Sequence, residues 1–306
     1  MSGIIKAPGG ARGLIGKENW LFLVGDSNDV FSELTGRQIM SDEAIARYGE
    51  VFRQRKSTFD ALGIPYFFFV APTKEMVYED RLPHGYDIIY ETFPSTPVLR
   101  VAREAGVPGG YLREVVKAAR SGGEVYYRTD THWNLYGGHA AYAEVHRQLS
   151  EVMSLTPVIE WDAVKLTEPQ PYRGDLANKV KMVLIPDAVP RFLEVAEGAI
   201  PVSDYDETFS KIVSPMNYKI GEVADYLKVS PTRDTVVHET EDSSLPTAMV
   251  FRDSFALALM PYLSNHFSRI VYVWKPEPNF DLIAKEKPDV VININLDRFL
   301  RLVPTR

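Results

Sequence analysis

The chain has 306 residues, of which 45% are hydrophobic and 25% are charged, a composition typical of a globular protein that buries a sizeable core. Its formal net charge of −7 argues against nucleic acid or an anionic membrane surface as the main partner, because both attract basic surfaces. No apolar run reaches the roughly 18 residues of a membrane span, so we expect no transmembrane segment. The chain contains no cysteine, which excludes disulfides, thiolate nucleophiles and cysteine-ligated metals.

Apolar runs alternate with amphipathic segments along much of the chain. Runs rich in aromatic and β-branched residues predict strands over 20–24, 66–70, 125–127, 247–251, 270–274 and 290–292. Helical spacing, with capping residues at several ends, predicts helices over 41–61, 95–105, 112–119, 135–153, 255–263 and 280–286. This alternation of strands and helices is the pattern of a doubly wound α/β sheet.

Between residues 156 and 246 the pattern changes, because prolines recur and clear amphipathic helices disappear. We interpret this segment as an inserted subdomain of short strands or irregular structure, since it is too apolar for a disordered linker. The expected organisation is an α/β domain in two parts, residues 1–155 and 247–306, separated by the subdomain 156–246.

An acid and an imidazole, Asp130 and His132, lie between the predicted strand 125–127 and the predicted helix 135–153. In an open α/β sheet, ligands bind at the edge where strands lead into helices. Residues spaced i, i+2 in an extended segment lie on the same side. Asp130 is therefore placed to accept the Nδ1 proton of His132, which leaves Nε2 as a general base.

Ser254 occupies a corresponding place, in the turn between the predicted strand 247–251 and the predicted helix 255–263. A serine at such a turn is exposed, and a helix N-terminus favours a developing oxyanion. Together with Asp130 and His132 it completes an acid, a base and a nucleophile, whose order along the chain is free.

Several separated segments, running from near the N-terminus to Phe255, carry a family resemblance: 16–22, 72–75, 77–78, 82–83, 127–134, 174–177 and 252–255. They resemble the SGNH-hydrolase-like polysaccharide O-acetyltransferases of the alginate O-acetyltransferase (AlgJ and AlgX) type, and the Asp-Thr-His-Trp segment is the specific one. The resemblance implies an SGNH-like three-layer α/β/α fold with a mostly parallel sheet. It also implies a triad of Asp130, His132 and Ser254, with Arg252 where the nucleophile turn often has glycine.

The function implied by the resemblance is O-acetyl transfer to, or removal from, a carbohydrate through an acetyl-serine. The implied partners are an acetyl donor, either a small ester or a partner acetyl carrier protein, and a carbohydrate acceptor. The family implies a periplasmic or extracytoplasmic location, whereas residues 1–16 lack a signal-peptide apolar segment, which leaves a cytoplasmic protein or a truncated chain open. A carbohydrate-binding or scaffold protein with a degenerate site is the alternative.

Four residues are expected to contact the substrate. Lys74, Arg81 and Arg173 are predicted in loops near the site, where they would bind a uronate or another anionic sugar; ordinary solvated charge is the alternative. Trp133 neighbours His132 and is expected to contact the substrate as well.

Two other sites remain open from the sequence. Gly25-Asp26-Ser27 resembles the nucleophile turn of ordinary SGNH esterases, which would make Ser27 the nucleophile. A metal site would combine Asp130, His132 and His139, but the spacing of two ligands at i, i+4 on a helix is absent. We expect neither a metal nor another cofactor.

Overall fold

The computed structural model describes residues 4–6, 12–26, 28–179, 208–230, 233–302 and 304. None of the helices in this part of the chain combines the length and the apolar composition that a membrane span requires.

The strands, in chain order, are β1 (Ile4–Lys6), β2 (Arg12–Ile15), β3 (Leu21–Gly25), β4 (Tyr66–Ala71), β5 (Gly109–Tyr111), β6 (Lys165–Leu166), β7 (Gln170–Pro171), β8 (Thr208–Phe209), β9 (Ile212–Ser214), β10 (Tyr218–Ile220), β11 (Val236–Thr240), β12 (Thr247–Arg252), β13 (Arg269–Trp274) and β14 (Val290–Leu296). The α-helices are α1 (Val30–Leu34), α2 (Asp42–Leu62), α3 (Lys74–Val77), α4 (Ser95–Glu104), α5 (Arg113–Ala119), α6 (Leu135–Leu149), α7 (Asp175–Lys179), α8 (Met260–Leu263) and α9 (Phe280–Glu286).

The main sheet has seven strands in the order β10-β11-β13-β12-β14-β4-β5. The five strands from β13 to β5 are parallel, whereas β11 and β10 extend one edge in antiparallel fashion. The carboxyl ends of β13, β12, β14 and β4 therefore meet at one edge of the sheet, where ligands bind in open α/β folds.

Helices cover both faces of this sheet, as β4 illustrates. Its side chains alternate between two hydrophobic cores, because successive residues of a strand point to opposite faces. Phe67 and Phe69 pack in one core with residues of α5, α6 and α8, while Tyr66, Phe68 and Val70 pack in the other with α2, α4 and α9. The predicted three-layer α/β/α fold with a mostly parallel sheet is confirmed.

Capping residues explain the long helix α2. The Ser41 side chain accepts a hydrogen bond from the Ala44 N–H at 3.2 Å, as expected of an N-cap. Gly63 ends the helix in the left-handed region, with φ of 67°, which glycine adopts without steric cost. The predicted helix 41–61 is thus confirmed with a shift of one residue.

Two predicted strands do not belong to the main sheet. The segment 20–24 forms β3, which lies in a separate antiparallel sheet with β1 and β2. The segment 125–127 is not a strand, because its pairing is local: one isolated bridge joins Tyr126 to Trp133, and the Tyr127 N–H donates to the carbonyl of His132. The loop 127–132 is therefore the turn of a small hairpin between α5 and α6.

The predicted helix 255–263 was wrong in detail. A 3-10 helix, Ser254–Ala258, follows β12, and α8 begins only at Met260. Pro261 accounts for the break, since proline has no N–H to donate and fits only the first turn of an α-helix.

Part of the segment 156–246 continues the main sheet. β10 and β11 are the two antiparallel strands at one end of that sheet, with β10 at the edge. β6 pairs with β9 and β7 with β8 in two small two-stranded sheets. Residues 180–207 and 231–232 lie outside the described residues. The division at residues 156 and 246 stays a prediction.

Candidate active site

The turn after β12 presents Ser254 at the carboxyl edge of the sheet. Asp253 shapes this turn: its Oδ1 accepts from the Phe255 N–H at 2.9 Å, and its Oδ2 accepts from the Leu296 N–H at 2.6 Å. Burial raises the pKa of Asp253, while these two backbone hydrogen bonds act in the opposite direction. One side chain thus ties the Ser254 turn to the end of the neighbouring strand β14.

The structure brings the three predicted catalytic residues together, although they come from distant parts of the chain. His132 Nε2 lies 2.8 Å from Ser254 Oγ, and His132 Nδ1 lies 2.7 Å from Asp130 Oδ1. The backbone N–H of His132 donates to the same Asp130 oxygen at 2.8 Å. These distances are those of hydrogen bonds, and they link the hydroxyl, the imidazole and the carboxylate in series.

Asp130 uses its second oxygen as well. Asp130 Oδ2 accepts from the Tyr172 hydroxyl and, at 2.8 Å, from the Asp175 N–H. Burial of the carboxyl opposes ionisation, but the hydrogen bond and charge of His132, together with the bonds from Tyr172 and Asp175, outweigh it and lower the pKa of Asp130 well below its usual range. Asp130 is therefore an acceptor, so His132 Nδ1 carries the shared proton and Nε2 is left to accept from Ser254.

Residues 172–177, which we call the clamp segment, fix the backbone next to Asp130. Gly174 N–H donates to Thr129 Oγ1 at 2.9 Å, and Ala177 N–H donates to the Thr129 carbonyl at 3.0 Å. The Asp175 carboxylate accepts from the Thr131 N–H at 2.7 Å and from its hydroxyl at 3.0 Å. Sequence reasoning missed these positioning contacts, although the Gly-Asp-Leu-Ala stretch was one of the segments that carried the family resemblance.

Lys74 was predicted to bind substrate, and the structure places it elsewhere. Its side chain is buried, with 1% of its surface exposed. The ammonium group donates to three backbone carbonyls, those of Tyr127, Arg128 and Asp130, at 3.0, 3.0 and 2.6 Å. An ammonium has three N–H donors, so Lys74 holds the 127–132 loop from inside the protein.

Of the other three predicted substrate-binding residues, one lines the cleft beside Ser254 and two do not. Arg81 pairs with Glu18, and Arg173 donates to the Ala177 carbonyl at 3.4 Å; neither lines the cleft beside Ser254. Trp133 does line that cleft, and its indole N–H donates to the Phe255 carbonyl at 2.9 Å. Of these three, the structure brings Trp133 alone to the triad.

A cleft of about 580 Å³ opens beside Ser254 and His132. Much of its wall is aromatic or aliphatic, with contributions from Tyr127, Trp133, Leu135, Tyr172, Leu257, Pro261 and Trp274. Lys211 and Arg233 also line it. An apolar wall with a few convergent polar groups is typical of a ligand site.

Two guanidinium groups pack against the ring of Trp274, at the end of β13. Those of Arg233 and Arg252 lie 4.6 and 4.5 Å from the centre of its ring, within the range of cation–π contacts. Arg252 is 2% exposed, and burial lowers its pKa to about 10. Arg252, which stands where the family's nucleophile turn often has glycine, therefore packs against Trp274 at the end of β12.

The metal alternative combined Asp130, His132 and His139. His139 Nε2 instead lies 2.7 Å from the Ile159 carbonyl. Within the described residues, Asp130, His132 and Asp175 offer ligand atoms within 4.8 Å of one another, but the contacts described above already engage these atoms. A cation there would have to displace the hydrogen bonds that orient His132. Ser27, the alternative nucleophile, lies outside the described residues.

Similarity to known proteins identifies the family. A family model described as "SGNH hydrolase-like domain, acetyltransferase AlgX" matches residues 14–206. The chain belongs to this family.

The most similar curated relatives include the probable alginate O-acetylase AlgJ of Pseudomonas putida, 29% identical over 175 residues, which are 54% of this chain and 41% of the relative. The chain thus spans less than half the length of that protein.

Solved structures show the same fold. The O-acetyltransferase domain of Pseudomonas putida AlgJ superposes with a TM-score of 0.57 at 19% identity, over 95% of this chain and 92% of the other. Bacillus cereus PatB1 superposes with a TM-score of 0.62 at 15% identity, over 95% of this chain and 97% of the other. The expected SGNH-like α/β architecture is confirmed.

Proposed function

We propose that this protein transfers O-acetyl groups to a carbohydrate through an acetyl-serine on Ser254. The observation that carries the proposal is the continuous hydrogen-bonded series from Asp130 through His132 to Ser254, which opens onto the cleft. Membership of the acetyltransferase family supports the acetyl group as the cargo. Alginate is the acceptor named for the relatives; for this chain we propose a polysaccharide.

In the first half-reaction, Ser254 Oγ attacks the acetyl carbonyl of the donor while His132 Nε2 takes the hydroxyl proton. The carboxylate of Asp130 stabilises the imidazolium that forms and keeps the ring in place. Collapse of the tetrahedral intermediate breaks the bond to the leaving group, which receives the proton from His132. The acetyl group remains on Ser254 as an ester.

In the second half-reaction, His132 Nε2 takes a proton from the incoming hydroxyl, whose oxygen attacks the acetyl-serine. The bond from the acyl carbon to Ser254 Oγ then breaks, and His132 returns the proton to Oγ. A sugar hydroxyl gives the transferred acetate ester, and water gives free acetate. The partly exposed aromatic walls of the cleft, Tyr172 and Trp274, favour a sugar, since aromatic faces pack against the apolar faces of carbohydrate rings.

The backbone N–H of Ser254 is our candidate for one oxyanion donor. Ser254 is the first residue of the 3-10 helix, and the first N–H groups of a helix have no acceptor within it. In serine hydrolases, removal of one donor fixed at the position where negative charge develops lowers kcat by roughly 10²–10³.

The test compares Ser254→Ala with Ser244→Ala, a matched change at an exposed serine that does not line the cleft. With an aryl acetate as donor, we expect Ser254→Ala to lose acetyl release by several orders of magnitude and Ser244→Ala to match the wild type. Ser27→Ala is measured alongside, and loss of activity there with retention in Ser254→Ala would reverse the assignment.

Trapping identifies the intermediate and the products. After brief exposure to the donor and rapid quenching, mass spectrometry should find an added acetyl group on Ser254. The tryptic peptide 253–269 also contains Ser264 and Ser268, so fragmentation must locate the group. Acetylated oligosaccharide indicates transfer and free acetate indicates hydrolysis. Binding of oligosaccharide with no ester turnover would instead favour the carbohydrate-binding alternative.

A further inference from the structure

Among the described residues, the exposed charges that line the cleft are opposite in sign to the net charge of the chain. Besides His132, the charged side chains among its described lining residues are Asp130, Lys211 and Arg233. The Asp130 carboxylate is 3% exposed and accepts hydrogen bonds at both oxygens. A chain of net charge −7 therefore places two exposed cations in the wall of the cleft that contains its candidate nucleophile.

Arg233 stacks on an aromatic ring, and no acidic side chain among the described residues pairs with it. Its guanidinium lies 4.6 Å from the centre of the Trp274 ring, at the wall of the cleft. Stacking fixes the plane of a guanidinium while leaving its N–H groups at the edge available, which is how arginine presents a fork to carboxylate or phosphate. Part of the entropic cost of ordering this side chain is thus met before a ligand arrives.

A second cation, Arg252, is buried and strengthens the positive potential behind Trp274. Arg252 lies 4.5 Å from the same ring, and its Nε has no hydrogen-bond partner among the described residues. The nearby charge of Arg233 opposes protonation of Arg252, as expected for two cations that share one aromatic side chain. An anion beside Arg233 would relieve this repulsion.

Lys211 is anchored through its backbone at the same cleft. Its N–H donates to Thr167 Oγ1 at 3.0 Å, and its carbonyl accepts from the Thr167 N–H at 2.9 Å. The side chain is exposed and lines the cleft. Lys211 and Arg233 both come from the 156–246 segment, so the cations at the site differ from the three that sequence reasoning selected.

We propose that Arg233 and Lys211 form a subsite for a negatively charged group, a carboxylate or a phosphate, on the acceptor. This inference rests on the proposed function, since it places the acceptor in the cleft beside Ser254. The charged group would pair with the Arg233 fork while a neighbouring hydroxyl reaches Ser254. A neutral sugar would gain nothing from these two cations.

The experiment measures binding with matched pairs of probes that differ in charge. An oligogalacturonate is compared with its methyl ester, and a phosphorylated oligomannose with its dephosphorylated form, by titration calorimetry at low salt. For wild-type protein we expect at least one charged probe to bind about tenfold more tightly than its neutral partner, a difference that shrinks as salt is added. The two arms separate a carboxylate from a phosphate.

Variants assign the preference to the subsite. Arg233→Gln should bring the ratio of charged to neutral affinity towards one, and Lys211→Gln should lower it by a smaller factor. Arg100→Gln removes the same charge from an exposed site on α4 and should leave the ratio unchanged. Circular dichroism of each variant establishes that it is folded.

Three results would overturn the proposal: equal affinities for both members of each wild-type pair, no binding of either charged probe, or a preference that persists in the Arg233→Gln/Lys211→Gln double variant. Aryl acetate turnover by the wild type is measured in parallel. Turnover without a charge preference would reject the charged-group subsite but not the acetyl-transfer proposal. Absence of turnover would reject the acetyl-transfer proposal.

Discussion

At the scale of single residues, Asp130 holds the candidate site together, because four donors converge on its two oxygens. Asn at this position keeps the size but offers one acceptor oxygen, and its NH₂ group cannot accept from the Asp175 N–H. We expect Asp130→Asn to lower kcat by roughly 10⁴, the scale known for such substitutions in triads. The lost hydrogen bonds should cost on the order of 1–3 kcal/mol of unfolding free energy.

Steady-state kinetics and urea unfolding of the same samples check this prediction. Tyr172→Phe is the graded comparison, since it removes one of the four donors and leaves the carboxylate, and it should have a smaller effect. A near-wild-type rate in Asp130→Asn would mean that the residue only fixes the loop.

Lys74 gives a prediction that separates a structural role from a substrate-binding role. Lys74→Met keeps the buried aliphatic stem but removes the ammonium donor from the carbonyls of residues 127, 128 and 130. The carbonyl of residue 128 keeps a second donor, the Leu21 N–H at 3.0 Å. We expect a loss of roughly 1–3 kcal/mol in unfolding free energy, with lower kcat because the 127–132 loop carries the triad acid.

Thermal and urea unfolding measure the effect of Lys74→Met. Lys228→Met, at an exposed lysine, is the control and should be neutral. Unchanged stability with a raised KM would restore the role in substrate binding that was predicted from the sequence.

The residue types at the site were predictable, but their partners were not. Asp130 and His132 are two residues apart, so local geometry alone suggested that they pair. The position of the Lys74 side chain depends on contacts with residues 53 to 56 positions away in the chain. The position of the Arg233 side chain depends on Trp274, 41 positions away (274 − 233). Charge in a sequence does not reveal whether a side chain will meet carbonyls, an indole or solvent.

At the scale of elements, patterns dictated by local chemistry were predicted well. β4 is an uninterrupted apolar run, and α9 begins and ends where its sequence pattern indicated. The segments 20–24 and 125–127 look equally apolar and are largely buried. The first pairs in a separate sheet, whereas the second pairs only locally, with residues 132–134. An apolar sequence indicates that a segment is buried. Whether the segment joins a given sheet depends on which other segment its backbone pairs with in the fold.

The clamp segment supplies an element-scale prediction. A Cβ on Gly174 would lie 2.3 Å from the Thr129 carbonyl carbon and 2.4 Å from the Asp130 nitrogen, so Gly174→Ala must displace one backbone from the other. Because Asp130 lies on the displaced loop, we expect kcat to fall by at least tenfold, with a loss of a few kcal/mol in stability.

Gly49→Ala is the matched control, because the nearest atom to its new Cβ is the tip of Arg53, 3.3 Å away. Alanine is favoured over glycine inside a helix by about 1 kcal/mol, so this variant should be as active as the wild type and at least as stable. Measurements of kcat and thermal melting curves of both variants test these expectations. Wild-type kcat in Gly174→Ala would show that the clamp segment does not position the acid.

At the scale of the whole molecule, the site depends on the sheet for alignment. β12, β14 and β4 are parallel neighbours, and Asp253, Asp297 and Lys74 lie just beyond their carboxyl ends. Asp253 ties the nucleophile turn to β14, and Asp297 accepts from the Thr73 N–H at 2.8 Å, which ties β14 to the loop after β4. Lys74 in that loop then holds the 127–132 loop, so the triad is aligned through three strand ends.

Stability of the whole molecule should fall below neutral pH, because two buried histidines resist protonation. Burial lowers the pKa of His238 to about 4 and, with the charge of His146, that of His266 to about 3. In the unfolded chain these groups titrate near 6.5. Between pH 6.5 and 4 the unfolded chain therefore binds more protons, and the unfolding free energy decreases as pH falls, by about 1.4 kcal/mol per pH unit for each histidine.

His238→Asn tests this linkage, because Asn places a polar atom near Nδ1, which lies 2.7 Å from Ser264 Oγ, and removes the titrating ring. Urea unfolding at pH 6.5, 5.5 and 4.5 should show that the variant loses about 2 kcal/mol less than the wild type across this range. Ser264→Ala removes the partner but keeps the imidazole, so it should lower stability at every pH and retain the wild-type slope. If His238→Asn and the wild type lose stability in parallel, His238 is not the source of the acid sensitivity.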